Sequence, residues 1–92
     1  MKKISDYPNV DSRKDYTEEE KKKLIAYMGD RQYLFGASTK RITDRVTGET
    51  VSSVCFLLFK DREYEWTSSE TYHLEQYDLA ISEEFIRYVL GE

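Results

Sequence analysis

The chain has few of the residues on which catalysis and metal binding depend. It contains one cysteine, Cys55, and one histidine, His73, so a Cys–His nucleophilic pair would have to be formed by these two. Cys55 stands among apolar neighbours, which favour a core position over the exposed, electropositive setting of a reactive thiol. One cysteine and one histidine cannot form the usual structural zinc site. The four glycines are isolated, which excludes a glycine-rich phosphate loop, and we therefore expect no metal, no cofactor and no enzymatic activity.

Long apolar runs are scarce as well. No stretch approaches the roughly 20 apolar residues that span a bilayer. The lysines near the start are not followed by the apolar region of a secretory signal. A single cysteine cannot form an internal disulfide, which fits a reducing compartment. We expect a cytoplasmic protein that does not enter a membrane.

Charge is abundant but unevenly distributed. Residues 1–60 hold 12 Lys and Arg against nine Asp and Glu, whereas residues 61–92 hold two against nine, within a net charge of -4. An acidic C-terminal third can form a contact surface for a basic partner. It can also reflect acidic residues gathered at helix N-termini and on solvated helix faces. The sequence leaves both interpretations open.

Three segments carry the signals of helix starts. Thr17–Glu20 matches a capping box and predicts a helix to about Met28. Thr67–Glu70 matches a second capping box and predicts a helix to about Tyr77. Ser82 precedes a short segment with the apolar stripe of an amphipathic helix. One helix is thus expected before the strands and two after them.

The strands are predicted from one apolar run and two turns. Residues 50–60 carry apolar side chains on both faces, which is typical of a strand at the centre of a sheet. Gly48 favours a hairpin turn to the preceding extended segment, which begins at Arg31, and a break at Gly36 suggests a bulge or bend within it. A second turn at Asp61-Arg62 would send the chain back to form a third strand.

A two-residue turn at Asp61-Arg62 would also fix the register of the last two strands. It would place Phe59 opposite Tyr64 and Leu57 opposite Trp66. The core face predicted from this pairing comprises Cys55, Leu57, Phe59, Tyr64 and Trp66.

These elements together predict an α+β fold. Its sheet is a three-stranded antiparallel meander, with one helix before it and two short helices after it. Residues 1–15 contain the only proline and no apolar period, so they are predicted to form an irregular N-terminal arm. Residues 16–92 are expected to form a single α+β domain.

The leading functional hypothesis is a small, non-enzymatic protein-binding module. Acidic residues interleaved with tyrosines suit a surface that masks a basic region of a partner protein, since tyrosine offers contact area at little entropic cost. Small size and acidic charge fit a phage or mobile-element inhibitor of a host protein. The residues expected to contact the partner are Glu70, Tyr72, Glu75, Tyr77 and Glu83.

Two alternatives use other surfaces. A basic strip of Lys40, Arg41 and Arg45 could bind nucleic acid or a nucleotide, with Tyr33 and Phe35 stacking on bases, although the pI of about 5.1 argues against this function. The apolar face that carries Val54, Phe56 and Leu58, with Leu34 and Ile42 as further candidates, could instead remain open. An open apolar sheet face would bind a partner or a second copy of the chain.

Overall fold

The computed structural model describes residues 2–30 and 33–91. It shows a small α+β fold with three helices and a mixed sheet. Some predicted segments begin or end at Met1, Arg31 or Glu92, and these three residues lie outside the described ones. The elements are β1 (Lys2–Lys3), α1 (Glu18–Gly29), β2 (Tyr33–Thr43), β3 (Thr50–Asp61), β4 (Tyr64–Thr67), α2 (Ser68–Tyr77) and α3 (Glu83–Leu90).

The three helices begin where their capping signals predict. Thr17 and Glu20 form the reciprocal hydrogen bonds of a capping box at α1, at 3.1 and 3.0 Å. At α2 the carboxylate of Glu70 accepts a hydrogen bond from the Thr67 amide at 3.1 Å. Ser82 caps α3 by accepting from the Phe85 amide. Local sequence therefore determines the starts of all three helices.

The sheet has the strand order β1-β4-β3-β2, so β3 lies in its interior as predicted. The predicted three-stranded antiparallel meander is wrong in detail, because β1 adds a strand that pairs parallel with β4. β1 is two residues long and carries no apolar alternation that could have indicated a strand. Its amide at Lys2 donates to the Glu63 carbonyl, and Ile4, directly after it, is buried in the core.

The register of β3 and β4 differs from the predicted one by two residues. Asp61 still belongs to β3 and lies opposite Tyr64, so the turn is Arg62-Glu63, with Arg62 in the left-handed region at φ 57°. Phe59 consequently lies opposite Trp66. Their rings stack with centroids 5.9 Å apart and planes 11° from parallel, which places both on the core face.

The β2–β3 hairpin forms with Gly48 at φ 79°, as its sequence predicts. Its pairing is irregular, with register shifts between Tyr33 and Phe35, between Ala37 and Arg41, and between Arg41 and Ile42. β2 nevertheless runs through Gly36 as one strand. Each shift changes which side chains share a face, so simple alternation cannot be counted along this strand.

The core lies between the helices and the face of the sheet that carries Phe59 and Trp66. The N-terminal segment, expected to be an irregular arm, also contributes Ile4 and Val10 to this core. Of the predicted core face, Cys55 and Leu57 are only partly buried, because the helices do not cover that part of β3 fully. The buried apolar residues of the core are Ile4, Val10, Leu24, Met28, Phe59, Tyr64, Trp66, Leu74, Leu79, Ile81, Phe85 and Ile86.

Candidate functional site

Asp44, directly after β2, lies at the centre of a buried polar cluster. We call this cluster the hairpin seam; its members are the side chains of Asp44, Tyr72, His73 and Tyr77 and the backbone amides of Arg45, Val46 and Thr47. Asp44 is 4% exposed, and its carboxylate accepts hydrogen bonds from the Tyr72 and Tyr77 hydroxyls at 2.7 and 2.6 Å. The amides of Val46 and Thr47 donate to it at 2.8 and 3.0 Å. Burial acts to raise the pKa of Asp44, but these four donors outweigh it and hold the pKa below its usual value.

His73 completes the hairpin seam. Its side chain is fully buried, and Nδ1 lies 2.7 Å from the Ser69 carbonyl oxygen. A carbonyl can only accept, so Nδ1 carries the proton, and Nε2 accepts the Arg45 amide at 2.9 Å. Both ring nitrogens are thus engaged by the backbone. His73 joins α2 to the hairpin turn and is not placed to act as a base or metal ligand.

Glu70 lies in a second buried cluster, the N-terminal seam. It was predicted to contact a partner, but it is only 6% exposed. Its carboxylate accepts hydrogen bonds from the Ser5 hydroxyl at 2.6 Å and from the Thr67 amide at 3.1 Å. Burial raises its pKa to about 7 against these two donors. Its capping-box role turns the side chain inward, which removes it from any contact surface.

The other predicted contact residues are dispersed. The hydroxyls of Tyr72 and Tyr77 donate hydrogen bonds to the Asp44 carboxylate. Glu83 is exposed but forms an ion pair with Lys14. Glu75 is exposed on α2 and is the residue of this group most available to a partner. The acidic third is therefore, to a large extent, a set of intramolecular contacts.

The residues of the predicted basic strip have different contacts. Lys40 lies over the Phe56 ring, with Nζ 4.8 Å from its centroid. Arg41 donates from Nε to the Ser52 carbonyl at 3.0 Å. Arg45 follows the end of β2, in the turn. The register shifts in β2 separate residues that strict alternation would have placed on one face.

The most exposed apolar surface lies at the start of β2. Tyr33, Leu34 and Phe35 are 53%, 61% and 56% exposed, and we call them the β2 strip. β2 is an edge strand, and no strand within residues 2–30 and 33–91 pairs with its outer side. The signal was visible in the sequence as three consecutive large apolar residues, which exceeds the alternation of a half-buried strand.

A groove adjoins this strip on the helix side of the sheet. It has a volume of about 230 Å³ and runs between the end of α1, β3 and α2. An added Cβ at Gly36 would lie 2.9 Å from Leu57 Cδ2 and 3.0 Å from the Tyr33 ring, so Tyr33 and Leu57 lie side by side. We call this groove the α2 groove. Its lining residues are Gly29, Val54, Leu57, Phe59, Ser68, Thr71, Tyr72 and Glu75.

The described residues contain neither a metal-ligand cluster nor a membrane-spanning helix. Among the described residues, no three His, Cys, Asp or Glu side chains lie together as metal ligands, and no helix has the length and apolar character needed to cross a membrane. No protein-family model, curated protein or solved structure matches this chain. Its function must therefore be inferred from the β2 strip, the α2 groove and the two seams.

Proposed function

We propose that the protein is a non-enzymatic protein-binding module whose main contact surface is the β2 strip. The observation that carries this proposal is the exposure of Tyr33, Leu34 and Phe35, each more than half exposed and consecutive in the chain. Single exposed apolar residues are normal on a protein surface, whereas three in succession leave large apolar side chains exposed on both faces of one strand end. Concentrations of exposed apolar surface mark interaction sites. Exposed aromatic rings are also the residues that dominate binding energy at interfaces.

The position of the strip on an edge strand adds a second means of binding. The outer side of β2 presents backbone amide and carbonyl groups that an extended partner segment can pair with. Within the first half of β2, the pairing with β3 is regular from Phe35 to Ala37. The strip therefore meets the regular part of this edge at Phe35, where apolar contacts and backbone hydrogen bonds would act together.

This proposal keeps the class of function expected from the sequence and changes the surface. Glu70 is buried, and Tyr72, Tyr77 and Glu83 contact Asp44 and Lys14, so the proposal does not use these residues. A role as an inhibitor of a host protein stays a prediction, and identifying the partner would test it.

Mutation of the strip against a matched exposed site tests the proposal. Val46, in the hairpin turn, is 48% exposed and lies outside the strip. Once a partner has been captured with the full chain and purified, Leu34→Asp should weaken its binding about tenfold or more, measured by calorimetry. Val46→Asp introduces the same charge and should leave the affinity nearly unchanged. Equal effects of the two substitutions would contradict the proposal.

A specific observation supports nucleic-acid binding as a second candidate. Phe35 and Phe56 form an edge-to-face pair with centroids 6.4 Å apart, and Lys40 lies 4.8 Å over the Phe56 ring. Exposed aromatic rings beside a cation can stack bases and pair with phosphate. Fluorescence anisotropy with a random-sequence single-stranded oligonucleotide should then show binding that weakens with salt and with Lys40→Glu.

A further inference from the structure

The α2 groove has the size and lining of a pocket for one large apolar side chain. Its volume is about 230 Å³, whereas an apolar cavity of about 150 Å³ is enough to hold a benzene molecule. Val54, Leu57 and Phe59 form its apolar wall. Because Tyr33 lies beside Leu57, a segment bound along the β2 strip could place a side chain in the groove.

One polar group inside the groove lacks a partner. The hydroxyl of Thr71, which lines the groove, is buried and makes no hydrogen bond within the described part of the chain. Buried polar side chains are almost always paired. The Thr71 hydroxyl is thus an unsatisfied polar group in the wall of the groove, and an incoming segment could reach it only if the wall moved.

Negative groups lie at the rim of the groove, where Glu75 also lines a neighbouring hollow with Lys21 and Lys22. Glu75 lines the groove and is exposed. The C-terminal end of α1 reaches the groove at Gly29, and α1 has no basic residue in its last turn to offset the negative end of its dipole. α1 is capped by Asp30, which is exposed and adds a further negative charge.

We infer that the α2 groove is an anchor pocket for a partner segment in which a large apolar residue is adjacent to a lysine or arginine. The apolar side chain fills the groove, and the neighbouring cation pairs with Glu75. This inference rests on the proposed function and specifies the chemistry of the partner. Among the acidic residues expected to contact a basic partner, it uses Glu75.

A random 12-residue peptide library displayed on phage, selected against the immobilised full chain, tests the inference. We expect selected peptides to be enriched in Leu, Ile, Met or Phe within two positions of Lys or Arg. Synthetic versions of these peptides should bind about tenfold more weakly to Glu75→Lys. Glu49→Lys makes the same charge change on the exposed hairpin turn and should change the affinity less than about twofold.

A second variant fills the pocket directly. If the Val54→Trp variant folds, as judged by circular dichroism, it should not bind the peptides. If it does not fold, the effect of Glu75→Lys on peptide affinity tests the inference instead. Selection of no peptide, selection without basic enrichment, or equal effects of Glu75→Lys and Glu49→Lys would overturn the inference.

The same peptides separate this inference from the proposed function. Binding that is lost with Leu34→Asp but unaffected by Val54→Trp and Glu75→Lys would overturn the anchor pocket and leave the β2 strip as the contact surface. Peptide binding that is lost with Val54→Trp and Glu75→Lys but unchanged by Leu34→Asp would support the anchor pocket. It would overturn the proposal that the β2 strip is the contact surface.

Discussion

The hairpin seam and the N-terminal seam each bury one carboxylate, and the two behave in opposite ways. Asp44 is 4% exposed and Glu70 is 6% exposed, so burial alone would raise the pKa of both. Asp44 has four hydrogen-bond donors and its pKa is lowered. Glu70 has two, and its pKa is raised to about 7. Asp44 thus has two more donors than Glu70, and each donor favours the charged form of the carboxyl group.

This difference also describes how each seam joins parts of the chain. At the hairpin seam an ionised Asp44 ties the turn between β2 and β3 to α2 through Tyr72 and Tyr77. At the N-terminal seam Glu70 ties the first residues to α2 through Ser5. The first contact is strongest when its carboxylate is charged, whereas burial works against the charged form of the second. The two seams should therefore respond to pH in opposite directions.

Removal of the Asp44 carboxylate should give the largest effect at either seam. Asp44→Ala deprives two hydroxyls and two amides of their acceptor at once, and unpaired buried donors are costly. We expect a lower urea midpoint than for any other single substitution in the two seams. Gln76→Ala, at an exposed position of α2, should leave the midpoint unchanged and serves as the control.

Asp44 also predicts an acid-sensitive stability. A carboxyl whose pKa is lowered on folding contributes stability above its unfolded pKa and loses that contribution as the pH falls through its folded pKa. Urea unfolding of the wild-type chain should therefore show a steep loss of stability below about pH 4. Asp44→Ala should lose less over the same interval, and parallel profiles would contradict the assignment.

Glu70 should give the opposite pH dependence at higher pH. Because its pKa rises from 4.5 to about 7 on folding, the folded chain binds more protons than the unfolded chain between these values. The contribution of Glu70 to stability is present below about pH 4.5 and is lost as the pH rises through about 7. The shift corresponds to about 3 kcal/mol at most.

Glu70→Gln isolates this contribution, because glutamine is nearly isosteric and does not titrate. The free energy of unfolding of the wild-type chain, measured in urea from pH 4.5 to 8, should fall relative to that of Glu70→Gln. Glu65→Gln changes a less buried carboxylate that lines a cavity together with Glu70, and this variant should retain the wild-type slope. A constant difference between wild type and Glu70→Gln would show that Glu70 does not titrate in this range.

The sequence predicted local structure well because its signals are local. The capping residues Thr17, Thr67 and Ser82 placed the helix starts, and Gly48 placed the hairpin turn, since each acts through hydrogen bonds or backbone angles within a few residues. The apolar run of β3 predicted an interior strand for a similar reason. These features do not depend on distant parts of the chain.

The sequence could not predict features that depend on long-range contacts. β1 has only two residues, and it forms because the next residue, Ile4, is buried in the core. The turn lies one residue later than predicted, at Arg62-Glu63, because Arg62 adopts a left-handed conformation that its residue type does not predict. Glu70 was placed on the surface because its capping signal does not tell how deeply α2 is buried. No local signal marks Asp44, because the two tyrosines that donate to it lie on α2, far along the chain.

His73 provides the smallest of the expected effects at the seams and tests whether the hairpin seam depends on backbone donors as well as on Asp44. His73→Phe keeps a planar ring in a fully buried site but removes the acceptor of the Arg45 amide. An unpaired buried donor costs roughly 1–3 kcal/mol, so we expect a loss of about 2 kcal/mol in the free energy of unfolding. Hydrogen exchange should also accelerate at the Arg45 amide while the amides of β4 keep their protection. If the loss of stability occurred without faster exchange at Arg45, the ring would act through packing alone, and the hydrogen bond from the turn would not contribute to joining the hairpin to α2.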